Sequence, residues 1–420
     1  MKIAIIGTGI SGLTAAWLLH KQHELTLFEA GDHVGGHTNT VPVSLSGRSW
    51  SVDTGFIVYN QRTYPNFCRI LEQLGVAGRD STMSFSVRDQ ESGLEWNGSS
   101  LATVFAQRRN LLRPAFWGML RDILRFAGHA ERLAGEEPAP GVVEESLDAF
   151  LDRHRFGAGF RRWYLTPMTS AIWSMPPRDI GGFPVRFLCR FLHNHGMLRV
   201  RGRPQWRTVL GGSASYVTAM IAPFRERIRL HAPVQRIERP AHGGAIVHSA
   251  HAGSELFDTV IMACHADQAL RLLATPSLAE NAVLSDLPYT STTAILHTDE
   301  RVLPRSQRTR AAWNAVIPAG DGGIRAALTY DMNTLQGLQA PVRFLVSLGC
   351  DEMIDPASIL RRIPYQHPAY SLRSHAAQQR WAEISGVDRI HYCGAYWGWG
   401  FHEDGVVSGV RVATRLGATW

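Results

Sequence analysis

The chain has 420 residues, of which 45% are apolar and 19% are charged, and its formal net charge is +7. This length predicts two to three domains, and the composition excludes a disordered chain or a collagen-like fibre. Five widely separated cysteines, with no CxxC pair, exclude a disulfide scaffold and a zinc ribbon and favour a reducing compartment. Almost all basic residues are arginines, and no motif indicates a nucleic-acid partner.

The first nineteen residues are largely apolar, but three glycines interrupt them and no small-residue cleavage site follows. No other segment approaches the ~20 apolar residues that cross a bilayer. We therefore expect a soluble cytoplasmic protein without a cleaved leader. Its basic charge could also attract it to anionic lipid on the inner face of the membrane.

The chain begins with a predicted β–α–β unit. Residues 2–6 form a short apolar strand, residues 10–20 form a helix rich in Ala and Leu, and residues 25–29 form a second strand. A Gly-x-Gly-x-x-Gly loop joins the first strand to the helix. This order and spacing is the fingerprint of a dinucleotide site, with the pyrophosphate at the helix N-terminus.

Each glycine of this loop has a separate role in the fingerprint. Gly7 permits a tight turn, Gly9 lets the backbone approach the pyrophosphate, and Gly12 lets the helix pack closely on the strand. Glu29 ends the second strand, where its carboxylate can accept hydrogen bonds from the ribose hydroxyls of adenosine. An acid at this position repels a 2′-phosphate, which argues against NADP.

The segment after Glu29 favours FAD over NAD. Gly35, Gly36, His37 and Thr38 resemble the second phosphate-contact motif of the flavin amine oxidase and phytoene desaturase superfamily. In that superfamily an arginine usually follows the glycine pair, whereas His37 can form a hydrogen bond without being a fixed cation. The alternative is an ordinary glycine-rich turn.

Four later segments resemble the same superfamily. Residues 51–57 resemble the segment whose backbone passes the flavin ring, and residues 232–237 resemble the strand that meets the adenine. Residues 390–395 resemble a strand that runs into glycine, and residues 404–410 resemble the last helix, whose N-terminus points at the flavin pyrimidine. A helix N-terminus stabilises the negative charge of reduced flavin.

The resemblance implies that FAD is the cofactor. Eighteen histidines are present, but no spacing among them is typical of a metal site, so we predict no metal. The cofactor-binding residues that the resemblance implies are Gly7, Gly9, Ser11, Gly12, Glu29, Ala30, Gly36, His37, Thr38, Gly55, Phe56, Ile57, Val234, Gly394, Asp404, Gly405 and Val406.

The resemblance also implies the fold. We expect an α/β protein in which a Rossmann-type, glutathione-reductase-2-like FAD-binding domain is interleaved with an α+β substrate domain. No polar linker divides the chain, which is consistent with interleaved domains. We predict that residues 1–73, 205–274 and 385–420 form the FAD-binding domain, and that residues 74–204 and 275–384 form the substrate domain.

Three strings resemble a narrower bacterial group within the superfamily: residues 171–174, 203–213 and 400–405. Members of this group are predicted FAD oxidoreductases found beside cyclopropane-type fatty-acid methyltransferases, and some are implicated in desaturating methyl-branched acyl chains. The resemblance implies an apolar small-molecule or lipid substrate, with a methyltransferase as a partner protein.

The densest aromatic and polar cluster near the expected flavin spans residues 396–403. Tyr396 and the tryptophans after it could line a slot over the ring, and His402 or Glu403 could accept a proton as a double bond forms. The alternative is that these aromatic residues only enclose the flavin, while His402 and Glu403 order the turn. For Asp404 we expect a helix cap, because an acid just before a helix N-terminus is well suited to that role.

Many flavin amine oxidases carry a lysine that holds a water near flavin N5, but Lys2 and Lys21 are the only lysines of this chain. Because both lie in the first β–α–β unit, they weaken the amine-oxidase interpretation and favour hydride removal from an unactivated or allylic carbon chain. The resemblance to the narrower bacterial group then implies desaturation of a methyl-branched fatty-acyl lipid. Two alternatives remain open. One is an amine or amino-acid oxidase with Tyr396 and Trp399 around the amine, and the other is a catalytically silent flavin-binding accessory that presents lipid to a partner.

An amphipathic helix is predicted within residues 107–134, with Pro114 in its first turn. Apolar side chains such as Phe116 share one face, and arginines share another. The helix could rest on an anionic membrane with Trp117 at the interface. Alternatively, it packs into the substrate domain and exposes its arginine face to solvent.

Overall fold

The computed structural model describes residues 1–136, 144–199, 202–250, 253–320 and 327–420. The helices are α1 (Ile10–Leu19), α2 (Pro65–Gln73), α3 (Leu101–Val104), α4 (Pro114–Gly135), α5 (Leu147–Arg153), α6 (Ala158–Phe160), α7 (Thr166–Trp173), α8 (Pro177–Ile180), α9 (Val185–Asn194), α10 (Ala214–Ile221), α11 (Ala266–Leu272), α12 (Leu278–Leu284), α13 (Met332–Gln336), α14 (Leu372–Gln379), α15 (Trp381–Ile384) and α16 (His402–Arg415).

The strands are β1 (Lys2–Ile6), β2 (Glu24–Phe28), β3 (Thr40–Leu45), β4 (Arg48–Asp53), β5 (Tyr59–Asn60), β6 (Gly78–Ser81), β7 (Phe85–Asp89), β8 (Leu94–Asn97), β9 (Trp206–Val209), β10 (Ile228–Arg229), β11 (Val234–Glu238), β12 (Ala245–Ser249), β13 (Gly253–Phe257), β14 (Thr259–Met262), β15 (Tyr289–His297), β16 (Trp313–Ile317), β17 (Ala327–Asp331), β18 (Leu345–Leu348), β19 (Ile359–Pro368) and β20 (Ile390–Tyr392).

A five-stranded parallel sheet in the order β10-β2-β1-β14-β20 organises the first domain. Its central strand is apolar on both faces because both faces are covered. Ile3 and Ile5 face the side where α1 and α16 pack, and Ala4 and Ile6 face the side of β11–β13, α11 and α12. This arrangement confirms the predicted Rossmann-type domain.

A seven-stranded sheet in the order β19-β15-β18-β17-β16-β7-β8 organises the second domain. Its neighbouring strands are antiparallel except for the parallel pair β7 and β16. Helices between β8 and β9 form a separate aromatic core that includes Phe126, Phe160 and Phe183. The combination of a largely antiparallel sheet with a helical cluster is the predicted α+β domain.

All strands of the five-stranded sheet come from the segments predicted for the FAD-binding domain, and all strands of the seven-stranded sheet come from those predicted for the substrate domain. Strands β3 and β4 come from the FAD-binding segments, but their Val43 and Val52 pack in the core of the seven-stranded sheet. Strand β6 lies in the segment assigned to the substrate domain, yet it pairs with β9 of the FAD-binding segments. The three-stranded sheet β5-β9-β6 therefore joins the two units. The exact bounds of the domains stay a prediction.

Helix α4 packs into the protein rather than lying on its surface. Phe116, Met119, Phe126 and Ala130 are buried along one face. The packing alternative for this helix is therefore the one observed over most of its length. Among the described helices, none combines the length and the apolar composition that crossing a membrane requires.

Helices α1 and α16 cross at very short range because glycines lie at their contact. A Cβ on Gly409 would lie 2.5 Å from the carbonyl oxygen of Ser11, and a Cβ on Gly405 would lie 2.6 Å from Cγ2 of Ile10. On α1 itself, a Cβ on Gly12 would lie 2.2 Å from the carbonyl oxygen of Gly7. The packing of α16 on α1 and the contact of Gly12 with Gly7 therefore both hold the loop between β1 and α1 in place.

We predict that Gly409→Leu lowers the unfolding free energy of the apoprotein, because the new side chain must push α16 away from α1. Overpacking of this kind costs about 1–3 kcal/mol. Chemical denaturation measures the change. The control is Gly128→Leu, which adds the same side chain to a helix at an exposed position with no atom within 4 Å of the new Cβ. Equal stability of the two variants would contradict the close crossing.

Candidate cofactor cleft and substrate chamber

One cavity of about 1720 Å³ extends from the carboxyl ends of the parallel strands into the second domain. In open parallel sheets this edge is where ligands bind. We call the part beside the parallel sheet the cofactor groove. Its walls include Gly7–Ser11, Gly35–His37 and Gly55–Ile57.

The structure brings most of the predicted cofactor-binding residues to this groove. The predicted residues that line it are Gly7, Gly9, Ser11, Glu29, Ala30, Gly36, His37, Gly55, Phe56, Ile57, Val234 and Gly394. The predicted residues that do not line it are Gly12, Thr38, Asp404, Gly405 and Val406. In the second set, Gly12, Thr38 and Gly405 lie directly against residues of the groove wall.

The N-terminus of α1 fits a pyrophosphate group. Gly9 is its N-cap and offers no side chain to satisfy the first helical N–H groups, which lie beside the groove. The backbone of Gly9 has φ −65° and ψ 173°, which any residue adopts, and a Cβ there would have no atom within 4 Å. Glycine is therefore required at this position only if a ligand occupies the space in front of it.

The carboxylate of Glu29 is held beside the same loop. It accepts hydrogen bonds from the backbone N–H of Thr8, at 3.2 Å, and from the backbone N–H of Gly31, at 2.8 Å. Glu29 also lines the groove. This is the position that the contact with the adenosine ribose requires, and FAD fits the groove in this orientation.

His37 is a neutral imidazole in the groove. Its ring stacks on Tyr365 with centroids 4.8 Å apart, and it lies edge-on to His367 at 5.1 Å. Burial, with neighbouring histidines, holds the pKa of His37 well below its usual value. Its Nε2 has no hydrogen-bond partner in the described part of the chain. His37 can therefore hydrogen-bond a ligand but carries no fixed charge.

His367 is a groove residue that the sequence did not indicate. It lies on β19, far along the chain from His37, and the pairing of β19 with β15 places it at the cavity. Burial lowers the pKa of His367 to about 4, and its Nδ1 also lacks a partner among the described residues. No spacing or motif around residue 367 could have revealed this.

His402 lines the cavity, but its ring contacts other side chains of the protein. It stacks on Phe56 with centroids 3.7 Å apart, and its Nε2 lies 2.7 Å from the hydroxyl of Tyr216, which in turn lies 2.6 Å from Oγ1 of Thr38. Burial lowers the pKa of His402 to about 3. Because Nε2 is engaged by Tyr216, it is not free to accept a proton from a substrate, which argues against the predicted catalytic role and favours the ordering role.

The position of Glu403 argues against the predicted role as a proton acceptor, because its carboxylate caps α2 and does not line the cavity. One oxygen accepts from the backbone and side-chain N–H groups of Asn66, at 2.9 and 2.7 Å, and the other accepts from the backbone N–H of Phe67 at 2.9 Å. Asp404 is a cap, as expected. Its Oδ2 accepts from the backbone N–H of Phe401 at 2.9 Å, and burial raises the pKa of Asp404 to about 7.

Tyr396 lines the cavity, and its buried hydroxyl has no partner in the described chain. Its ring lies edge-on to Tyr289 at 6.2 Å and against Trp397 at 5.1 Å. Trp399 does not line the cavity and instead packs on Phe187 at 6.1 Å. The aromatic enclosure expected from Tyr396 and Trp399 together is therefore not formed.

The second part of the cavity, which we call the chamber, continues from the groove into the helices of the second domain. Its walls are largely apolar and aromatic, and include Phe85, Trp96, Leu120, Ile123, Phe126, Ala127, Tyr164, Met168, Ile172 and Trp173. Among the described residues that line the whole cavity, the carboxylates are Glu29 in the groove and Asp80. Asp80 is exposed and lies 3.8 Å from Arg207.

Comparison with known protein families gives a match over most of the chain. The profile of a family described as flavin-containing amine oxidoreductase matches residues 10–343. A curated protein of Mycobacterium tuberculosis, AofH, which bears the name of a flavin-containing monoamine oxidase, is 26% identical over 281 residues, or 63% of this chain. The alignment spans 56% of the length of that relative.

Solved structures share the fold along nearly the whole chain. Cyclohexylamine oxidase from Brevibacterium oxydans has a TM-score of 0.70 at 16% identity, over 99% of this chain and 98% of its own. A CLA-producing fatty acid isomerase from P. acnes has a TM-score of 0.69 at 14% identity, over 99% and 98%. At such identities the likeness establishes the fold alone.

We predict that Gly9→Val folds normally but does not retain FAD, because its side chain would occupy the space in front of the α1 N-terminus. The measurement is the ratio of flavin absorbance to protein absorbance after purification, together with the unfolding temperature of the apoprotein. Gly128→Val, at an exposed helical position, is the control and should stay fully loaded. A yellow Gly9→Val protein with a full complement of FAD would contradict the placement of the pyrophosphate.

Proposed function

The chain belongs to the flavin-containing amine oxidoreductase family, and we propose that it is an FAD-dependent oxidoreductase that desaturates a fatty-acyl chain. The observation that carries the proposal is the chamber. It is continuous with the cofactor groove and is lined mainly by apolar and aromatic side chains. Methyl-branched chains fall within the proposed substrate class.

FAD, when bound, supplies the acceptor for the hydride that leaves the substrate carbon. The residues of this chain would do the rest. The α1 N-terminus would hold the pyrophosphate, Glu29 the ribose, and the backbone of Gly55–Ile57 the ring. The chamber would hold the acyl chain in one orientation and keep water away from it.

Desaturation also removes a proton from the neighbouring carbon. We propose that the pair His37 and His367 serves this need, since both rings are neutral and each keeps one nitrogen unpartnered within the described chain. A neutral imidazole with a free nitrogen can accept a proton or orient a water that does so. This replaces His402 and Glu403 as the groups proposed for proton transfer.

A second candidate is oxidation of an amine, which the name of the curated relative favours. Trp96 and Tyr164, 6.2 Å apart, could contribute cation–π contacts to an ammonium group. The chamber argues against it, because the described cavity wall contains two carboxylates, Glu29 in the groove and Asp80, which is exposed and lies beside Arg207. An ammonium ion would enter an apolar space without a partner charge, which is costly.

A catalytically silent accessory is the third candidate, and it requires a cofactor face that the substrate cannot reach. The continuity of groove and chamber argues against such a barrier. A partner methyltransferase, expected from the resemblance to the narrower bacterial group, remains a proposal that depends on that resemblance alone.

We predict that long acyl chains bleach the flavin absorbance under anaerobic conditions and that simple amines do not. Ala127→Phe should slow bleaching by long chains by roughly tenfold or more while short chains still react, because the new ring narrows the chamber beside α4. Stopped-flow absorbance measures both rates. Gly128→Phe adds the same ring at the next position, outside the cavity wall, and should react normally.

Two results would contradict this proposal. Rapid bleaching by an amine with all acyl chains inert would move the function to amine oxidation. Equal chain-length profiles for Ala127→Phe and Gly128→Phe would show that the substrate does not occupy the chamber.

A further inference from the structure

Five exposed apolar residues lie within residues 101–124, and three of them line the cavity. Leu101 is 80% exposed, Leu112 is 86%, Leu124 is 65%, Trp117 is 48% and Leu111 is 47%. They lie on α3, on the 3₁₀ turn Arg108–Leu112 and on the first half of α4. We call this set of five side chains the mouth surface. Water-exposed apolar groups in such a cluster commonly mark a contact site.

The mouth surface is also the edge of the cavity. Leu101, Trp117 and Leu124 line the cavity and are exposed to solvent at the same time. Side chains with both properties lie where a cavity opens. Trp117 is held in place by Phe105, at 5.2 Å between centroids, and by a hydrogen bond from its Nε1 to the carbonyl oxygen of Leu111 at 2.9 Å. The opening is thus built by ordered apolar groups.

The same segment is strongly basic. Residues 98–121 contain Arg108, Arg109, Arg113 and Arg121 and no Asp or Glu. Arg109 and Arg113 donate to the backbone carbonyls of residues 93 and 92, so these contacts leave their charges uncompensated. In the described part of the chain no carboxylate lies within 4 Å of Arg108, Arg109 or Arg113.

We propose that the mouth surface docks on an anionic lipid bilayer and that the acyl substrate enters the chamber directly from it. Leucine and tryptophan side chains insert at the depth of the headgroups, and arginines beside them bind lipid phosphates. The charge selects an anionic surface over a neutral one. The identity of the substrate that enters from the bilayer depends on the proposed function. The docking itself does not depend on it.

Docking in this manner differs from the membrane hypothesis drawn from the sequence. That hypothesis placed the amphipathic helix predicted within residues 107–134 on the bilayer, whereas Phe116, Met119 and Phe126 face the interior. The large apolar side chains that α4 exposes are Trp117 and Leu124, both in its first half. The contact is therefore small and peripheral, and its attraction is screened over roughly 8 Å at physiological salt.

Co-sedimentation of the FAD-loaded protein with vesicles tests the proposal. We expect binding to vesicles of phosphatidylglycerol and phosphatidylcholine at low salt, weaker binding at high salt, and little binding to pure phosphatidylcholine. Leu101→Asp with Leu112→Asp should abolish binding, whereas Leu278→Asp, at a site that is 92% exposed and outside the cavity wall, should not. Failure of the unmodified protein to bind anionic vesicles at low salt would overturn the proposal.

A second pair of variants tests the charge independently of the leucines. Arg108→Glu with Arg121→Glu should weaken binding to anionic vesicles by roughly two orders of magnitude. Arg225→Glu with Arg361→Glu, both at exposed positions outside the mouth surface, is the control for net charge. Equal loss in the two pairs would overturn the proposal, because a general effect of charge would then explain binding. A different outcome is self-association of the protein in the absence of lipid. If Leu112→Asp abolished that self-association, the mouth surface would be a contact between two copies of the chain, and the docking proposal would be overturned.

Substrate delivery separates docking from catalysis. Leu112→Asp alone, at a position outside the cavity wall, should bleach normally with a short, freely soluble acyl chain and slowly with a long chain supplied in vesicles. If soluble acyl chains bleach the unmodified protein normally but the protein does not bind vesicles, the docking proposal is contradicted and the proposed function is supported. If the protein binds vesicles normally but no acyl chain bleaches the flavin, the proposed function is contradicted and the docking proposal is supported.

Discussion

The close crossing of α1 and α16 is the constraint on which the cofactor groove depends. Because Gly405 and Gly409 let α16 approach α1 so closely, the loop from Gly7 to Gly12 cannot move back from the groove. The unsatisfied N–H groups at the start of α1 therefore stay at the carboxyl edge of the parallel sheet. A preorganised helix terminus binds phosphate without a further cost of ordering.

The packing of α16 on α1 also determines whether the side chains in the first turn of α16 are available for acid–base chemistry. The first turn of α16 carries His402, Glu403 and Asp404, three side chains that look like candidates for acid–base chemistry. All three are used to hold the helix in place, against Tyr216, against the start of α2 and against its own N-terminus. The proposed reaction therefore assigns proton transfer to His37 and His367, whose ring centroids lie 5.1 Å apart.

The parts of the site that depend on local sequence could be predicted, and those that depend on distant pairing could not. The loop of Gly7, Gly9 and Gly12 and the acid Glu29 have fixed spacing within one β–α–β unit, so their positions followed from the pattern. His367 reaches the groove only because β19 pairs with β15, and no local signal carries that information. Glu403 was predicted as a proton acceptor because the sequence does not distinguish a carboxylate that caps another helix from one that faces a substrate.

In the proposed reaction, a long acyl chain occupies the chamber with one part beside the cofactor groove. A crystal structure of the FAD-loaded protein with a long-chain fatty acid would show whether it does. We expect the methylene chain to run past Ile123 and Ala127, with its carboxylate toward the opening at Trp117 and its middle carbons near His367. A fatty acid bound outside the chamber, or a chamber closed off from the groove by side chains, would contradict it.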